Sequence, residues 1–287
     1  MLATNDINGN IGLFLRKAPT LEGLFSEDAK VSVILDYSKE HEFIQTFWAP
    51  EWHIVGGVPY IFFAVGGTEW APQSHIMKYR GEGDICNPDS WELPVRVKGR
   101  DGRFLCENGI TLDMTYFKSG DTSYVVWSER YHIGSKLDSG SMLYIATVDE
   151  KNPAVLTSDK VLLSRPLFGW ENVDGTINNE GPYALKNNGV IYLSYSGGAA
   201  VGHTYAVGYL MAKEGEDLLD TSNWSKYPTA ALSAYSIAGI DGPGHCSFFK
   251  DDNGDTMIAY HCQLEMRTST FHKVHFDKTG FPMLSIR

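Results

Sequence analysis

Glu51-Trp52-His53-Ile54-Val55-Gly56-Gly57-Val58-Pro59-Tyr60-Ile61-Phe62-Phe63-Ala64-Val65 is the stretch on which the fold turns. It reads as an acidic and imidazole head, a short strand, a Gly-Gly turn and an aromatic-rich strand buried on both faces. The phrase returns from Asp113-Met114-Thr115 across Gly120 to Trp127, and from Glu180-Gly181-Pro182 across Asn188-Gly189 to Ser196. It returns a last time from His245-Cys246-Ser247 across Asn253-Gly254 to His261. The heads lie 113 − 51 = 62, 180 − 113 = 67 and 245 − 180 = 65 residues apart. A period near 65 is too long for helical solenoid repeats and suits one four-stranded β-propeller blade with its loops. Innermost strands of a propeller border its central channel. Repetition alone is therefore expected to bring Glu51, Asp113, Glu180 and His245 towards one another, and ionisable groups gathered there suit acid–base chemistry on a sugar.

Working outward, Tyr124-Val125-Val126-Trp127 and Ile191-Tyr192-Leu193-Ser194-Tyr195 are the counterparts of the strand Tyr60–Val65. Asn188-Gly189 and Asn253-Gly254 supply the positive φ angles of tight hairpins. Gly140–Ala146 and Gly208–Met211 read as third strands. The polar runs Asp149–Pro153 and Asp220–Trp224 read as blade-to-blade links. The tail from Lys273 to Leu284 reads as one more hairpin, expected to close the ring near the N-terminal blade. Met1–Asp6 reads as the end of a strand entering a loop. Counting back one period from Glu51 puts a further head near 51 − 65 = −14, so the expectation is four full heads and a first blade incomplete at its N-terminal side. One domain over 1–287 is the economical organisation.

The 287 residues, 43% hydrophobic with 29 Gly and 15 Tyr, suffice for a large all-β core. Lys and Arg number 24 against 35 acidic residues, a formal charge of −11. No basic cluster is present to neutralise phosphates, which argues against a nucleic-acid partner. No apolar run approaches the roughly 20 residues of a membrane helix. Cys86, Cys106, Cys246 and Cys262 show no metal-binding spacing, and Cys246 and Cys262 fall on the two arms of one hairpin. All four read as free thiols, which with no signal peptide in the sequence fits a cytoplasmic setting.

The heads Trp48-Ala49-Pro50-Glu51-Trp52-His53, Leu112-Asp113-Met114-Thr115, Asn179-Glu180-Gly181-Pro182-Tyr183 and Gly242-Pro243-Gly244-His245-Cys246-Ser247, in this order, resemble those of family-43 glycoside hydrolases, five-bladed β-propellers. Thr4-Asn5-Asp6 and Leu15–Leu24 are similar to the branch containing exo-acting α-L-arabinofuranosidases. The resemblance implies inverting hydrolysis with no organic cofactor, acid and base roughly 6.5–9.5 Å apart to admit a water. It implies Glu180 as the general acid and Asp113 as the residue that orients it and tunes its pKa. The base, an Asp of an Asp-Pro head in the first blade, falls at the upstream position reached by the repeat arithmetic. Asp6 is the nearest acidic residue and reads as a loop residue. A general base contributes about 10²–10⁴ in rate, so a non-catalytic carbohydrate-binding propeller is the rival reading.

The substrate-binding candidates are Trp48, Glu51, Trp70 and His245. Glu51 is a sugar-hydroxyl contact or the start of a strand. Trp48 and Trp70 are stacking walls for a pentose or core packing, with Trp70 placed in a loop on the site side. Met114 is expected to border the sugar pocket. The resemblance also makes His245 a candidate contact to a Ca2+ ion in the channel; a structural or substrate-facing imidazole is the alternative. Arg267 reads as a surface residue, or as a contact to a sugar oxygen. The expected substrate is arabinan or arabino-oligosaccharide, with β-D-xyloside specificity available to the same carboxylates. Fructan-hydrolase signatures and the Gly-His and Trp-Asp repeats of interaction propellers are absent. The sequence leaves oligomeric state open.

Overall fold

The computed structural model describes residues 1–5 and 9–285. Asp6 lies outside the described residues. Five antiparallel sheets of three to five strands follow one another along the chain, the blade pattern of a five-bladed β-propeller. The first holds Leu2–Ala3 (β1), Leu13–Lys17 (β2) and Lys30–Leu35 (β3). The second holds Gln45–Val55 (β4), Val58–Gly66 (β5), Gln73–Lys78 (β6) and Val95–Arg96 (β7). The third contains Gly109–Ser119 (β8), Thr122–Tyr131 (β9), Met142–Asp149 (β10), Asn152–Leu156 (β11) and Val161–Ser164 (β12). The fourth contains Glu180–Asn187 (β13), Val190–Gly197 (β14), Ala206–Lys213 (β15) and Ser225–Lys226 (β16). Asp241–Lys250 (β17), Thr256–Gln263 (β18) and Arg267–Lys273 (β19) form the fifth, and His275–Phe276 (β20) pairs with Pro282–Met283 (β21). Helical turns among the described residues are 3-10 segments of three or four residues, and none is long and apolar enough to cross a membrane.

Two compact units partition the chain: Met1–Met114 with Thr147–Asp159, and Thr115–Ala146 with Lys160–Arg287. The core of the first gathers Leu13, Ile34, Phe47, Ile61, Phe63, Val65 and Met77. In the second, one cluster centres on Val126, Ile145, Leu193 and Tyr195, another on Val207, Tyr209, Ile258 and Cys262. β5 is buried from Tyr60 through Val65, as its unbroken apolar run predicts. Burying one such side chain contributes about 1.5–3 kcal/mol. The four cysteines are buried thiols, Cys246 on β17 and Cys262 on β18.

The hairpins at Gly56-Gly57 and Asn188-Gly189 form as read, the latter with φ 51° and 74° between the paired residues Asn187 and Val190. Asn253-Gly254 instead belongs to a five-residue loop between Lys250 and Thr256, built on the Asp251 carboxylate, which accepts the N–H groups of Asn253 and Asp255. The two expected blade links are also something else. Asp149–Pro153 turns straight back into β11, with Asp149 Oδ1 accepting the Lys151 N–H at 2.9 Å. Asp220–Trp224 is a 3-10 turn capped by Asp220 that feeds β16 of the same sheet. Two-residue outer strands such as β7 and β16 carry no periodicity, which hides them in the sequence. The tail hairpin forms: Phe281 lies 5.1–5.8 Å from the ring centroids of Tyr192, Tyr209 and Tyr227 of the fourth sheet and its edge, and the Leu284 carbonyl accepts from His272 Nε2 of β19 at 2.8 Å.

Candidate functional site

The repeat heads coincide with bulged strand starts. The ladder register shifts between Trp48 and Glu51 in β4, between Glu180 and Tyr183 in β13, and between Gly244 and Ser247 in β17. Within each shift one residue takes a left-handed backbone: Ala49 at φ 50°, Gly181 at 57° and His245 at 49°. Asp113 in β8 does the same, at 57°. These four are the equivalent positions, spaced 113 − 49 = 64, 181 − 113 = 68 and 245 − 181 = 64. Glu51 stands two residues after its bulge position and Glu180 one before, so the repeat of charged heads read from the sequence is out of frame at two of four places. An inserted residue re-aims the side chains around it, and only one of the four positions carries a glycine to announce it.

In the first unit Glu51 and His53 are both buried, with His53 Nε2 2.8 Å from Glu51 Oε2. Burial pushes the His53 imidazole down to about 3, so the pair is a hydrogen bond from a neutral ring. Trp48 is half-buried opposite Ala64, and the Ala49 N–H donates to Thr4 Oγ1 at 2.9 Å. Trp70 is also half-buried. Its ring rests on Gly67, where a Cβ would lie 2.6 Å away, and the Arg96 guanidinium stands 5.3 Å from its centroid. That is a packed indole. Asp113 is 3% exposed. Met114 is fully buried, so its thioether packs inside rather than bordering a pocket.

The second unit brings Glu180 and His245 together. Glu180 is half-buried at the start of β13, opposite Ser196 of β14, and Tyr205 Oη donates to its Oε1 at 2.9 Å. The Ser196 hydroxyl accepts the backbone N–H of His245 at 2.7 Å. The His245 ring lies over Gly181, where a Cβ would sit 3.0 Å from Cγ. Arg130, bound to Asp138 through bonds of 2.9 and 2.8 Å, feels the Glu180 charge as well; Asp138 first and Glu180 after it hold the guanidinium above its ordinary value. Tyr205 is stacked on His261 at 5.2 Å and 13°. Burial, then the charges of Arg267 and His245, push His261 down to about 2, which makes it a neutral ring. Arg267 is itself exposed at the start of β19, where the sequence placed it.

A buried network fixes the approach to Glu180. Asn179 Oδ1 accepts from Ser164 Oγ at 2.8 Å and Lys226 Nζ at 2.9 Å, and its Nδ2 donates to Glu171 Oε1 at 3.0 Å. Glu171, completely buried, also accepts the Leu167 and Phe168 N–H groups, the Tyr195 hydroxyl and Lys226. Sequence reasoning missed Tyr205, Arg130, His261 and this network. Hydrogen-bonded partners lie 8, 15, 24, 25 and 47 residues apart, many of them in unpatterned loops, and the local signal is Gly244 beside His245.

Ca2+ takes six to eight oxygen ligands. Among the described residues no three His, Cys, Asp or Glu side chains converge as a cation site. His245 by itself would offer such an ion one imidazole nitrogen and leave the other positions to water.

Residues 3–282 match the family "Glycosyl hydrolases family 43". The chain is 32% identical over 260 residues to the extracellular exo-α-(1→5)-L-arabinofuranosidase of Streptomyces chartreusis, covering 88% of this chain and 72% of that protein. It is 29% identical over 253 residues to α-L-arabinofuranosidase 43 of Humicola insolens, spanning 87% of this chain and about half (49%) of the relative. Among solved structures, the α-L-arabinofuranosidase from Lactobacillus brevis superposes with a TM-score of 0.84 at 27% identity, over 99% of this chain and 89% of that one. A match over nearly the whole chain, the five-bladed fold and the bulged heads converge on one assignment: the chain belongs to glycosyl hydrolase family 43.

Proposed function

We propose that this chain releases terminal α-L-arabinofuranosyl residues from arabinan or arabino-oligosaccharides by single displacement with inversion, Glu180 acting as the general acid. The observation that carries the reading is the Glu180 carboxyl, half-buried at a bulged strand start with a phenol donating to Oε1 at 2.9 Å. A carboxyl so held presents its proton in one direction to a departing glycosidic oxygen, as general acid catalysis requires. The names of the relatives support the sugar. Asp113 is proposed as the carboxylate that tunes the acid, and Glu51, Trp48 and His245 as sugar contacts. The packed ring of Trp70 argues against a stacking wall there. Inversion also requires a base carboxylate, and no residue of 1–287 is assigned to it.

The test is arabinose release from linear arabino-oligosaccharides and from 2,4-dinitrophenyl and 4-nitrophenyl α-L-arabinofuranosides, with the product anomer followed by NMR. Glu180→Gln should abolish oligosaccharide turnover while sparing the dinitrophenyl substrate, whose leaving group needs no proton. Equal loss on every substrate, or none, removes Glu180 as the acid. A folded chain that binds the oligosaccharide and cleaves nothing would move the reading to a carbohydrate-binding propeller.

A further inference from the structure

The geometry points to Tyr205 as the positioning residue of Glu180: its hydroxyl holds the Glu180 carboxyl in one rotamer through Oε1, and Gly244 is glycine so that the phenol can stand there. This rests on the proposed role of Glu180. Three observations carry it. Tyr205 Oη donates to Glu180 Oε1 at 2.9 Å. The ring is 1% exposed and stacked on His261 at 5.2 Å with an interplanar angle of 13°, so it has no freedom to swing. A Cβ on Gly244 would lie 2.2 Å from Tyr205 Cδ1 and Cε1, closer than any side chain tolerates.

The support behind the phenol is itself unusual. His261 pairs across the ladder with Gly244, and neither His261 Nδ1 nor Nε2 has a hydrogen-bond partner among the described residues. The ring is half-buried, but both nitrogens are covered, and covered ring nitrogens normally find one. Kept neutral by burial, it serves here as a flat aromatic surface, and the stacking orients the phenol towards β13. Tyr205 thus joins the end of β15's preceding loop to the acid, while Gly244 and His261 of the fifth sheet set where the ring lies.

A hydroxyl donated to a carboxyl oxygen favours the carboxylate over the acid. Removing it while keeping the ring has a signature that a packing role would not produce. The experiment is a carboxyl-13C NMR titration of the full chain and of Tyr205→Phe, with Glu180→Gln to identify the Glu180 resonance. In Tyr205→Phe the Glu180 pKa should rise by about one unit with the circular dichroism unchanged. In parallel, kcat on linear arabino-oligosaccharides should fall about tenfold, while the dinitrophenyl arabinofuranoside changes less than about twofold. Gly244→Ala, which displaces the ring, should shift the Glu180 titration in the same direction. An unchanged Glu180 pKa in a folded Tyr205→Phe overturns the proposal whatever the activity. Retained oligosaccharide turnover in Glu180→Gln would sink the acid role separately, leaving the titration to judge the Tyr205–Glu180 contact alone.

Discussion

Gly181 and His245 interlock: the residue after the candidate acid has no side chain, and the imidazole of the next head fills the space, Cγ 3.0 Å and Cδ2 3.2 Å from where a Cβ would stand. Both residues are left-handed, at φ 57° and 49°. One bulge therefore receives the side chain of the other, and Glu180 is placed by a contact its own side chain does not make. Two requirements fall on Gly181 at once, a backbone that L-residues avoid and a volume already taken.

Gly181→Ala is accordingly expected to cost about 2 kcal/mol or more and to lower activity by moving Glu180. Urea denaturation checks the first and arabinoside turnover the second. Gly189→Ala, at φ 74° with nothing within 4 Å, is the control: it should cost about 1 kcal/mol and leave activity intact.

The buried Glu171–Lys226 pair is the second stability element of this site. Lys226 Nζ lies 2.6 Å from Glu171 Oε1, with side chains 14% and 0% exposed. Burial pushes the Lys226 ammonium down, and Glu171 raises it in part. Lys226→Met should cost about 3–5 kcal/mol, because it strands a carboxylate in the core, whereas Lys226→Met with Glu171→Gln should recover much of the loss. Thermal unfolding of the two variants decides this; equal destabilisation would mean the pair is not what holds Asn179.

The sequence carried the strand run of Tyr60–Val65, the Asn188-Gly189 hairpin and the order of the heads, because buried strands and tight turns have local signatures. The bulges were illegible. A positive φ on Ala49, Asp113 or His245 leaves no compositional trace, so equivalence was read from charge and came out of frame at Glu51 and Glu180. Tyr205 was equally hidden, since it reaches Glu180 from 25 residues away, from a loop with no pattern. Site residues that act through a neighbouring strand are fixed by tertiary register, which a single sequence does not encode locally.

Buried histidines should make the fold acid-labile. His75 is 2% exposed, with Nδ1 bound to the Gln73 carbonyl at 2.8 Å, and burial pushes it down from 6.5 to about 4. Its folded pKa lies below the unfolded one, so the unfolded state binds the extra proton first. The contribution is full above about pH 6.5 and is lost as pH falls towards 4, on the order of 3 kcal/mol at the end of that range. Urea midpoints measured from pH 7.5 to 4 should fall accordingly, and His75→Phe, which fits between Phe43 and Phe63 at 5.9 and 6.0 Å, should flatten the slope. An unaltered slope in that variant would mean that the folded and unfolded chains bind the His75 proton alike.

The tail hairpin offers the last test, of where the C-terminus contributes its stability. Phe281 meets Tyr227 at 5.1 Å, Tyr192 at 5.7 Å and Tyr209 at 5.8 Å, and the Gly280 carbonyl accepts from Asn187 Nδ2 at 2.8 Å. The hairpin itself has only two paired positions, too few to stand alone. Its order must come from that aromatic cluster and from the buried Leu284, whose carbonyl accepts from His272 Nε2 at 2.8 Å. Phe281→Ala should therefore cost about 2–3 kcal/mol, less than a fully buried Phe because the ring is only half-buried. It should also raise amide exchange at β20 and β21 and along β14 and β15 beneath the lost ring. Hydrogen exchange resolved by segment separates the cases: exchange raised in the hairpin alone would mean the tail is carried by its own turn, with Asp277 binding the Thr279 and Phe281 N–H groups, and not by the fourth sheet.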